Sequence, residues 1–233
     1  APGTTIEVRD LFWNVPARLK FLKSRPTESG HVAAVCMRVA LANPELAISL
    51  SNEGRPMRHY LRASSFIERS TSIFSGEPLV LIEAAQGDVQ ITAGLGPPER
   101  ARNGATGLHL LVNGRPVRDA SLARAVAYAY GSVLPPGRYP VGALHLRVPP
   151  EWVDVNVHPQ KLEVRFQDSR MVFDAVTRLL ARRLGTSAWG GPARRGASYW
   201  EERLRPTLGG NADAPTVSGE PSDERSPQPD PWG

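Results

Sequence analysis

The stretch VDVNVHPQKLEVRF, residues Val153–Phe166, carries the clearest structural pattern in the chain. Its first part alternates apolar and polar residues with the period of a half-buried strand, and LEVRF predicts a second short strand after the HPQK connection. Pro159 fixes its own φ and biases His158 away from the helical region, so we expect a stiff turn between the strands. That turn would hold Lys161 at a defined place, where its ammonium group could meet a phosphate; a solvated surface lysine is the alternative.

The sequence around this turn predicts an α+β unit that extends from residue 63 to residue 185. Short apolar or alternating runs indicate strands, and apolar positions three and four apart indicate helices. We expect the helices to cover one face of the resulting sheet. The predicted elements are a helix over Ser65–Phe74, strands over Leu79–Ala84, Val89–Leu95, Leu108–Val112 and Val141–Val148, and helices over Asp119–Val133 and Ser169–Leu184.

Residues 1–62 form a separate predicted unit. An amphipathic helix is expected over Glu28–Ala42, because apolar residues recur there at helical spacing and Asn43-Pro44 ends the pattern. The stripe that we expect this helix to bury consists of Val32, Val35, Cys36 and Val39. The other predicted elements are a strand over residues 4–8, a turn over Asn14–Arg18 that leads into a short basic helix, and a hairpin formed by Leu46–Leu50 and Met57–Leu61.

The composition indicates a globular protein with an anionic partner. Apolar residues make up 41% of the 233 residues, the formal net charge is +5, and no stretch is long and apolar enough to suggest a membrane span. Cys36 is the only cysteine, which excludes an internal disulfide framework and favours a reducing cytoplasm. Residues 186–233 are rich in Pro and Gly and poor in apolar residues, so we predict that they are disordered.

Three motifs resemble signatures of the MutL family of DNA mismatch repair proteins. Gly3–Leu22, GTTIEVRDLFWNVPARLKFL, resembles the family pattern G-T-x-(I/V)-x-V-x-x-L-F-Y-N-x-P-A-R-x-K-F-L. Val112–Asp119, VNGRPVRD, resembles V-N-x-R-x-(V/I)-x-D, and Asp154–Phe166 resembles D-V-N-V-H-P-x-K-x-E-V-R-F. The motifs occur in the family's order, and the resemblance covers about residues 1–185.

The resemblance implies a fold of known type. MutL proteins are GHKL ATPases, so residues 1–62 are expected to be the C-terminal part of an ATPase α/β sandwich. Residues 63–185 are expected to be a β-α-β transducer domain similar to that of gyrase B and some ribosomal proteins. The family's catalytic Glu, metal-binding Asn and D-x-G-x-G motifs do not occur in the sequence. We therefore expect a fragment, without a C-terminal dimerisation domain, that does not hydrolyse ATP alone.

The resemblance also implies nucleotide-binding roles. The family's H-P-x-K lysine contacts the terminal phosphate, so Lys161 is expected to be a catalytic phosphate sensor. The threonine of the G-T strand lines the adenine pocket, which implies that role for Thr4 and Thr5; a good strand residue is the alternative. The implied cofactor is ATP with Mg²⁺ in the full-length protein, and no cofactor is expected to bind the fragment tightly.

A basic surface is the predicted DNA contact. Asn113–Gly114 is a strong signal for a two-residue turn, which would project Arg115 from the surface. The family places the arginine of V-N-x-R in a DNA-binding groove, and no aromatic cluster interleaves with the basic residues. We therefore expect electrostatic contacts that depend little on base sequence; a merely solvated face is the alternative. The further candidates nearby in the sequence are Arg118, Arg124 and Arg138.

Further partners follow from the resemblance alone. They are a MutS-type mismatch recognition protein, a downstream nuclease or helicase, and a second copy of the full-length protein, all acting at the nucleoid in a bacterial cytoplasm. The histidines lack metal-ligand spacing, so no metal site is predicted. Two other functions stay open: another GHKL machine, such as a type II topoisomerase subunit, and a non-enzymatic nucleic-acid or protein interaction module with the transducer fold.

Overall fold

A computed structural model describes residues 3–155 and 162–185 of the chain. The helices among these residues are α1 Pro16–Leu19, α2 Arg25–Ala42, α3 Phe66–Ile73, α4 Ala120–Ala129 and α5 Ser169–Leu184. The strands are β1 Ile48–Asn52, β2 Arg55–Tyr60, β3 Val80–Gln86, β4 Val89–Leu95, β5 Arg102–Asn103, β6 Leu108–Val112, β7 Arg115–Val117, β8 Arg138–Tyr139, β9 Gly142–Arg147, β10 Val153–Asp154 and β11 Arg165–Phe166. The predicted α+β class is therefore confirmed.

A five-stranded sheet in the order β3-β4-β9-β6-β7 forms the centre of the fold. Its neighbouring strands are antiparallel except β6 and β9, which run parallel with Leu108 opposite Gly142 and Val112 opposite Leu146. A parallel pair needs a crossover connection, and β7 and α4 supply it between β6 and β9. The predicted β-α-β arrangement is present at this point of the sheet.

Helices α4 and α5 cover one face of the sheet. Ile91, Leu110 and Leu144 from the strands belong to the same buried cluster as Val126 of α4 and Val176 of α5. Each of these side chains is at most 5% exposed, so this face holds the main core. Helix α5 has the bounds that the sequence predicted.

Helix α4 begins as predicted but ends earlier. Its N-cap is Asp119, whose carboxylate accepts a hydrogen bond of 2.6 Å from the Leu122 N–H and so satisfies a free donor of the first turn. The helix ends at Ala129 because Gly131 adopts a φ of +62°, which a continuing helix does not allow. Val133, the last residue of the predicted helix, consequently lies outside α4 and is 48% exposed.

Helices α2 and α3 cover the opposite face, so the expectation of helices on one face only is wrong. Leu41 of α2 and Phe66 of α3 form a buried cluster with Leu111 of β6 and Ala143 of β9. Strands β6 and β9 carry apolar residues at consecutive positions, which point to alternate faces. Such strands need apolar cover on both sides.

The buried stripe predicted for α2 is also wrong. The side chains that stay exposed are Val32, Val35 and Val39, at 49%, 48% and 40%. Cys36 is only partly buried. A second apolar set, Met37, Ala40 and Leu41, has helical spacing too, and it is this set that turns towards α3 and the sheet.

Residues 4–8, which lie before α1, do not form the strand that their sequence predicted. An extended segment becomes a strand only when its N–H and C=O groups pair with a neighbour, and the described residues provide none. Its apolar side chains are accordingly exposed, with Ile6 at 85% and Val8 at 73%. Trp13 is likewise 83% exposed.

Arg69 of α3 fastens this helix to the connection between α2 and β1. Its side chain is fully buried, and one guanidinium nitrogen donates hydrogen bonds of 2.6 Å to the carbonyls of both Pro44 and Leu46. The guanidinium carbon lies 6.0 Å from the centre of the Tyr60 ring. The two predicted units are thus in direct contact, and the boundary at residues 62 and 63 stays a prediction.

Strands β10 and β11 lie at the two ends of the Val153–Phe166 stretch. Val153 pairs with Phe166 and Asp154 with Arg165 in antiparallel fashion, which confirms that two short strands meet there. The predicted turn between them, with His158 and Lys161, lies outside the described residues, as does the predicted disorder of residues 186–233.

Candidate nucleic-acid interface

The V-N-G-R motif forms the predicted two-residue turn between β6 and β7. Asn113 and Gly114 both have positive φ, +49° and +79°, and they separate the paired residues Val112 and Arg115. Positive φ at both central positions is the requirement of a type I′ hairpin turn, which Asn-Gly meets at low cost. The turn therefore holds Arg115 at a fixed register on an edge strand.

Side-chain hydrogen bonds clamp this turn onto the neighbouring strand. The Asn113 side chain donates to the Val148 carbonyl and accepts from the Val148 N–H, both at 3.0 Å, while its own N–H donates to the Leu146 carbonyl at 2.9 Å. The Gly114 N–H donates to Nε2 of His145 at 2.9 Å. We call Asn113 and His145 the turn clamp.

The clamp needs a neutral histidine. Nε2 of His145 can accept the Gly114 proton only when it carries none itself. Burial, with the nearby Arg147 cation, lowers the pKa of His145 to about 4. His109 on β6 is a second buried imidazole, and burial followed by the Arg38 cation lowers its pKa to about 4 as well. Both rings are thus neutral at physiological pH.

Because the pKa values of His109 and His145 are lowered, we expect the protein to lose stability in mild acid. An unfolded histidine has a pKa of about 6.5, so the unfolded chain binds more protons than the folded one between about pH 6.5 and pH 4. Stability should therefore be complete above about pH 6.5 and fall as the pH drops, by up to roughly 3 kcal/mol for each histidine. Urea unfolding across this pH range measures the effect. His145→Gln, which keeps an acceptor oxygen but does not titrate, should show a shallower slope; an unchanged slope would contradict the assignment.

Arg115 and Arg118 lie on the same edge of the sheet but differ in exposure. Arg115 pairs with Val112 and is partly buried, so the turn does not project it fully into solvent. Arg118 follows β7 and is exposed, and its N–H donates a short hydrogen bond of 2.6 Å to the Leu162 carbonyl. This bond joins the V-N-G-R motif to the residue that follows Lys161 in the sequence.

Arg124 and Arg138 are exposed, but the structure sets Arg138 apart from Arg115. Arg138 belongs to β8, and its guanidinium donates to the Ala101 carbonyl at 3.0 Å. Strand β8 lies just before β9, at the amino ends of the parallel pair, whereas Arg115 follows the carboxyl end of β6. Arg124 lies on the exposed side of α4. The four arginines therefore occupy separate places, with only Arg115 and Arg118 close along one strand.

The predicted nucleotide residues are not brought together in the described part of the chain. Thr4 and Thr5 are exposed and lie outside any strand. Lys161 lies outside the described residues, so its expected phosphate contact stays a prediction. Within residues 3–155 and 162–185, no group of three or more His, Cys, Asp or Glu side chains is placed to hold a metal ion.

An open groove with a volume of about 1130 Å³ runs beside the turn clamp. Its walls include Phe66, whose ring centre is 5.5 Å from that of His145, and Thr92 of β4. The charged residues along it are Glu45, Glu83 and Arg147. This mixture of charges does not favour a polyanion, so the groove is a weaker candidate for DNA than the arginine-bearing edge.

Sequence reasoning missed two residues at this edge. His145 is one of five scattered histidines, and only its pairing position opposite Thr92 and beside β6 reveals that it meets the turn. Arg38 lies on α2, distant in sequence from the motif, yet burial and then the Arg118 cation lower the pKa of Arg38. The alternation in ALHLR would place His145 on the polar face of β9, opposite Leu144 and Leu146, and no sequence signal pointed to Arg38.

Comparison with known proteins finds relatives that match most of the chain. A family model described as "DNA mismatch repair protein, C-terminal domain" matches residues 74–185. A protein of Anaeromyxobacter dehalogenans (strain 2CP-C) named DNA mismatch repair protein MutL is 40% identical over 94% of this chain and 36% of its own length. The protein of the same name from Janthinobacterium sp. (strain Marseille) is 44% identical over 86% of this chain and 34% of its own. The chain thus spans about a third of the length of these curated relatives.

A solved structure confirms the expected fold type. The ATPase domain from the bacterial mismatch repair endonuclease Aquifex aeolicus MutL matches with a TM-score of 0.51 at 26% identity, over 74% of this chain and 59% of that one. Among the described residues, no helix combines the length and apolar character needed to cross a membrane.

Proposed function

Because the chain belongs to the MutL family of DNA mismatch repair proteins, we propose that it binds DNA through the phosphate backbone, along the edge that carries Arg115 and Arg118. The observation that carries this proposal is the clamped hairpin at the V-N-G-R motif. Asn113 and His145 fix the turn by four hydrogen bonds of 2.9–3.0 Å, so the arginines that follow it have defined positions.

The chemistry of the edge suits a phosphate partner. Guanidinium groups match phosphate oxygens in two-point geometry and stay charged at all physiological pH values. The chain carries 28 Lys and Arg against 23 Asp and Glu, which favours attraction to a polyanion. Contacts of this kind hold the backbone without reading bases, so binding should depend strongly on salt and little on sequence. Arg124 and Arg138 would contact phosphates at separate places and would contribute less to the affinity for DNA.

For the whole protein we propose an ATP-dependent clamp that couples mismatch recognition to later repair steps. Lys161 would sense the terminal phosphate of ATP bound with Mg²⁺, and Thr4 and Thr5 would line the adenine pocket. The partners would be a MutS-type protein, a downstream nuclease or helicase, and a second copy of the protein, in the bacterial cytoplasm. Support comes from family membership and from the similarity to the ATPase domain of Aquifex aeolicus MutL.

A salt series tests the DNA proposal. Charge reversal by Arg115→Glu or Arg118→Glu should weaken binding to a short fluorescent duplex, measured by anisotropy. Each lost phosphate contact should reduce the slope of log K against log salt by about 0.9. Arg178→Glu is the matched control, because this exposed arginine lies on α5 across the sheet from α2. Equal binding by all variants, or no binding even at low salt, would contradict the proposal.

A further inference from the structure

We infer that Asn103 is a site of spontaneous deamidation and that the turn clamp protects the chemically equivalent Asn113. The chain contains two Asn-Gly pairs, Asn103-Gly104 and Asn113-Gly114. Glycine places no Cβ beside the attacking backbone nitrogen, so an asparagine side chain cyclises most readily when glycine follows it. Because the two pairs have the same local chemistry, a difference in their reactivity has to come from the folded structure. Neither site needs DNA for its reaction.

The modification is a loss of ammonia followed by the addition of water. The backbone nitrogen of Gly104 gives its proton to water and attacks Cγ of Asn103, which forms a new N–C bond. The bond from Cγ to Nδ2 breaks, and Nδ2 takes up a proton and leaves as ammonia. Water then opens the succinimide ring at either of its carbonyls and leaves aspartate or isoaspartate at position 103. No electrons are transferred, and water is the only co-reactant.

The structure leaves the carboxamide of Asn103 free to react. Asn103 is exposed on β5, and its side chain has no hydrogen bond to any residue that the structure describes. The Gly104 N–H makes one long hydrogen bond, of 3.2 Å, to the carbonyl of Gly137. Gly104 is itself exposed, so water reaches the attacking nitrogen. Ring closure at this site therefore breaks only one weak hydrogen bond of the attacking and attacked groups.

Three hydrogen bonds hold Asn113 and Gly114 in a geometry that disfavours cyclisation. The Asn113 carboxamide is bonded through both its nitrogen and its oxygen to the backbone of Val148, and the Gly114 N–H donates to His145. The carboxamide has to turn away from Val148, and the N–H has to leave His145, before the nitrogen can reach Cγ. Asn113 is exposed as well, so exclusion of water does not protect it. Two more hydrogen bonds break here than at Asn103, which should slow the reaction about 30-fold.

Conversion of Asn103 would change the charge beside Arg138. Asn103 pairs with Arg138 across β5 and β8, and none of the described carboxylates forms an ion pair with this arginine. A carboxylate at position 103 would lie opposite the guanidinium and lower the formal net charge from +5 to +4. Isoaspartate would also lengthen the backbone within β5, a strand of two residues, and so disturb its pairing with β8. The modified chain is thus separable by charge.

The test follows both asparagines in the full chain at neutral pH and physiological temperature. Protease digestion in mild acid, where the ring closes slowly, and fragment mass spectrometry assign each acidic product to position 103 or 113. We expect the product at Asn103 to form faster than that at Asn113 by about 30-fold in the folded chain. In guanidinium chloride the two rates should become equal, because only the shared Asn-Gly sequence then acts. Equal rates in the folded chain, or no product at Asn103, would overturn the inference.

A matched pair of variants checks the site by ion exchange of the intact chain. Asn103→Gln should abolish the acidic form that accumulates, because glutamine would have to close a larger ring. Asn52→Gln should leave that form unchanged, because Asn52 is also exposed but precedes Glu53 rather than glycine. An acidic form that persists in Asn103→Gln would place the reaction elsewhere and refute the assignment.

Variants of His145 check the protection of Asn113. His145→Ala removes the acceptor of the Gly114 N–H and should raise the rate at Asn113, with the rate at Asn103 unchanged. His145→Gln keeps an acceptor oxygen and should raise it less. Circular dichroism identifies the variants that are folded, and the comparison with the chain in guanidinium chloride needs no variant. A folded His145→Ala chain with an unchanged rate at Asn113 would show that the clamp gives no protection.

Discussion

Gly142→Ala should abolish stable folding of the sheet. Gly142 has a φ of +142°, in a region that only glycine occupies readily, and it begins β9 between β4 and β6. A Cβ atom built at this position would overlap the backbone carbonyl oxygen of Gly94. That oxygen belongs to a paired strand and cannot move without breaking the ladder. We expect a loss above about 4 kcal/mol in the free energy of unfolding.

Urea unfolding followed by circular dichroism measures this loss, and Gly30→Ala is its control. Gly30 lies inside α2, and no heavy atom lies within 4 Å of the Cβ that alanine would add. The same substitution should therefore stabilise the protein there, by about 0.5–1 kcal/mol. If Gly→Ala lowers the free energy of unfolding at position 142 and raises it at position 30, the difference comes from the backbone geometry at the two positions. A Gly142→Ala protein that unfolds at the normal urea concentration would refute the described approach of β9 to β4.

Arg69→Ala should cost about 3 kcal/mol of stability. The variant leaves the carbonyls of Pro44 and Leu46 without the buried donor that now satisfies both. Hydrogen bonds to charged donors contribute about 1.5–3 kcal/mol each, and the emptied volume adds a cavity term. The net loss of stability is smaller than the sum of these contributions. Nε and Nη1 of Arg69 are buried without a partner among the described residues, and the variant removes that cost. Thermal unfolding should show a fall of roughly 10 °C.

Arg62→Ala provides the matched comparison for Arg69. Arg62 also donates to this connection, through Nε to the Glu45 carbonyl at 2.9 Å, but its side chain is exposed. Water replaces an exposed donor, so the expected loss is below about 1 kcal/mol. Equal losses for the two variants would show that burial of Arg69 contributes nothing.

Local signals predicted those elements that local chemistry decides. Asp168 caps α5 by accepting from the Met171 N–H at 2.8 Å, and the helix has its predicted bounds. The Asn113–Gly114 turn formed as expected, because positive φ at both positions is a property of these two residue types. The family resemblance was carried by such motifs, and the comparisons confirmed it.

The sequence could not decide which apolar set a helix buries. Helix α2 carries two, and Val32, Val35 and Val39 gave the longer pattern although the shorter one packs on the sheet. The choice depends on where α3 and β6 lie, which is tertiary information. The same limit hid Arg69, because a buried arginine depends on carbonyls that lie more than twenty residues away in sequence.

For the candidate site, the sequence indicated the residue types but not their arrangement in space. The motif correctly pointed to arginines after a fixed turn, but sequence proximity grouped Arg138 with Arg115, and the parallel strands place them at opposite ends. The Arg118 cation acts on the pKa of Arg38, after burial, because α2 packs against β7, and no spacing rule contains that packing. The roles of Lys161, Thr4 and Thr5 stay predictions.

The position of β9 has a consequence for how the sheet assembles during synthesis. Although β9 is the last of the five strands along the chain, it lies in the middle, between β4 and β6. Until the ribosome has released residues 142–147, the β3–β4 and β6–β7 hairpins are two separate pieces, each with an unpaired apolar edge. Such edges invite pairing with other chains, so a nascent chain stalled before β9 should be prone to aggregate. Closure of the long loop to β4 should then set the folding rate.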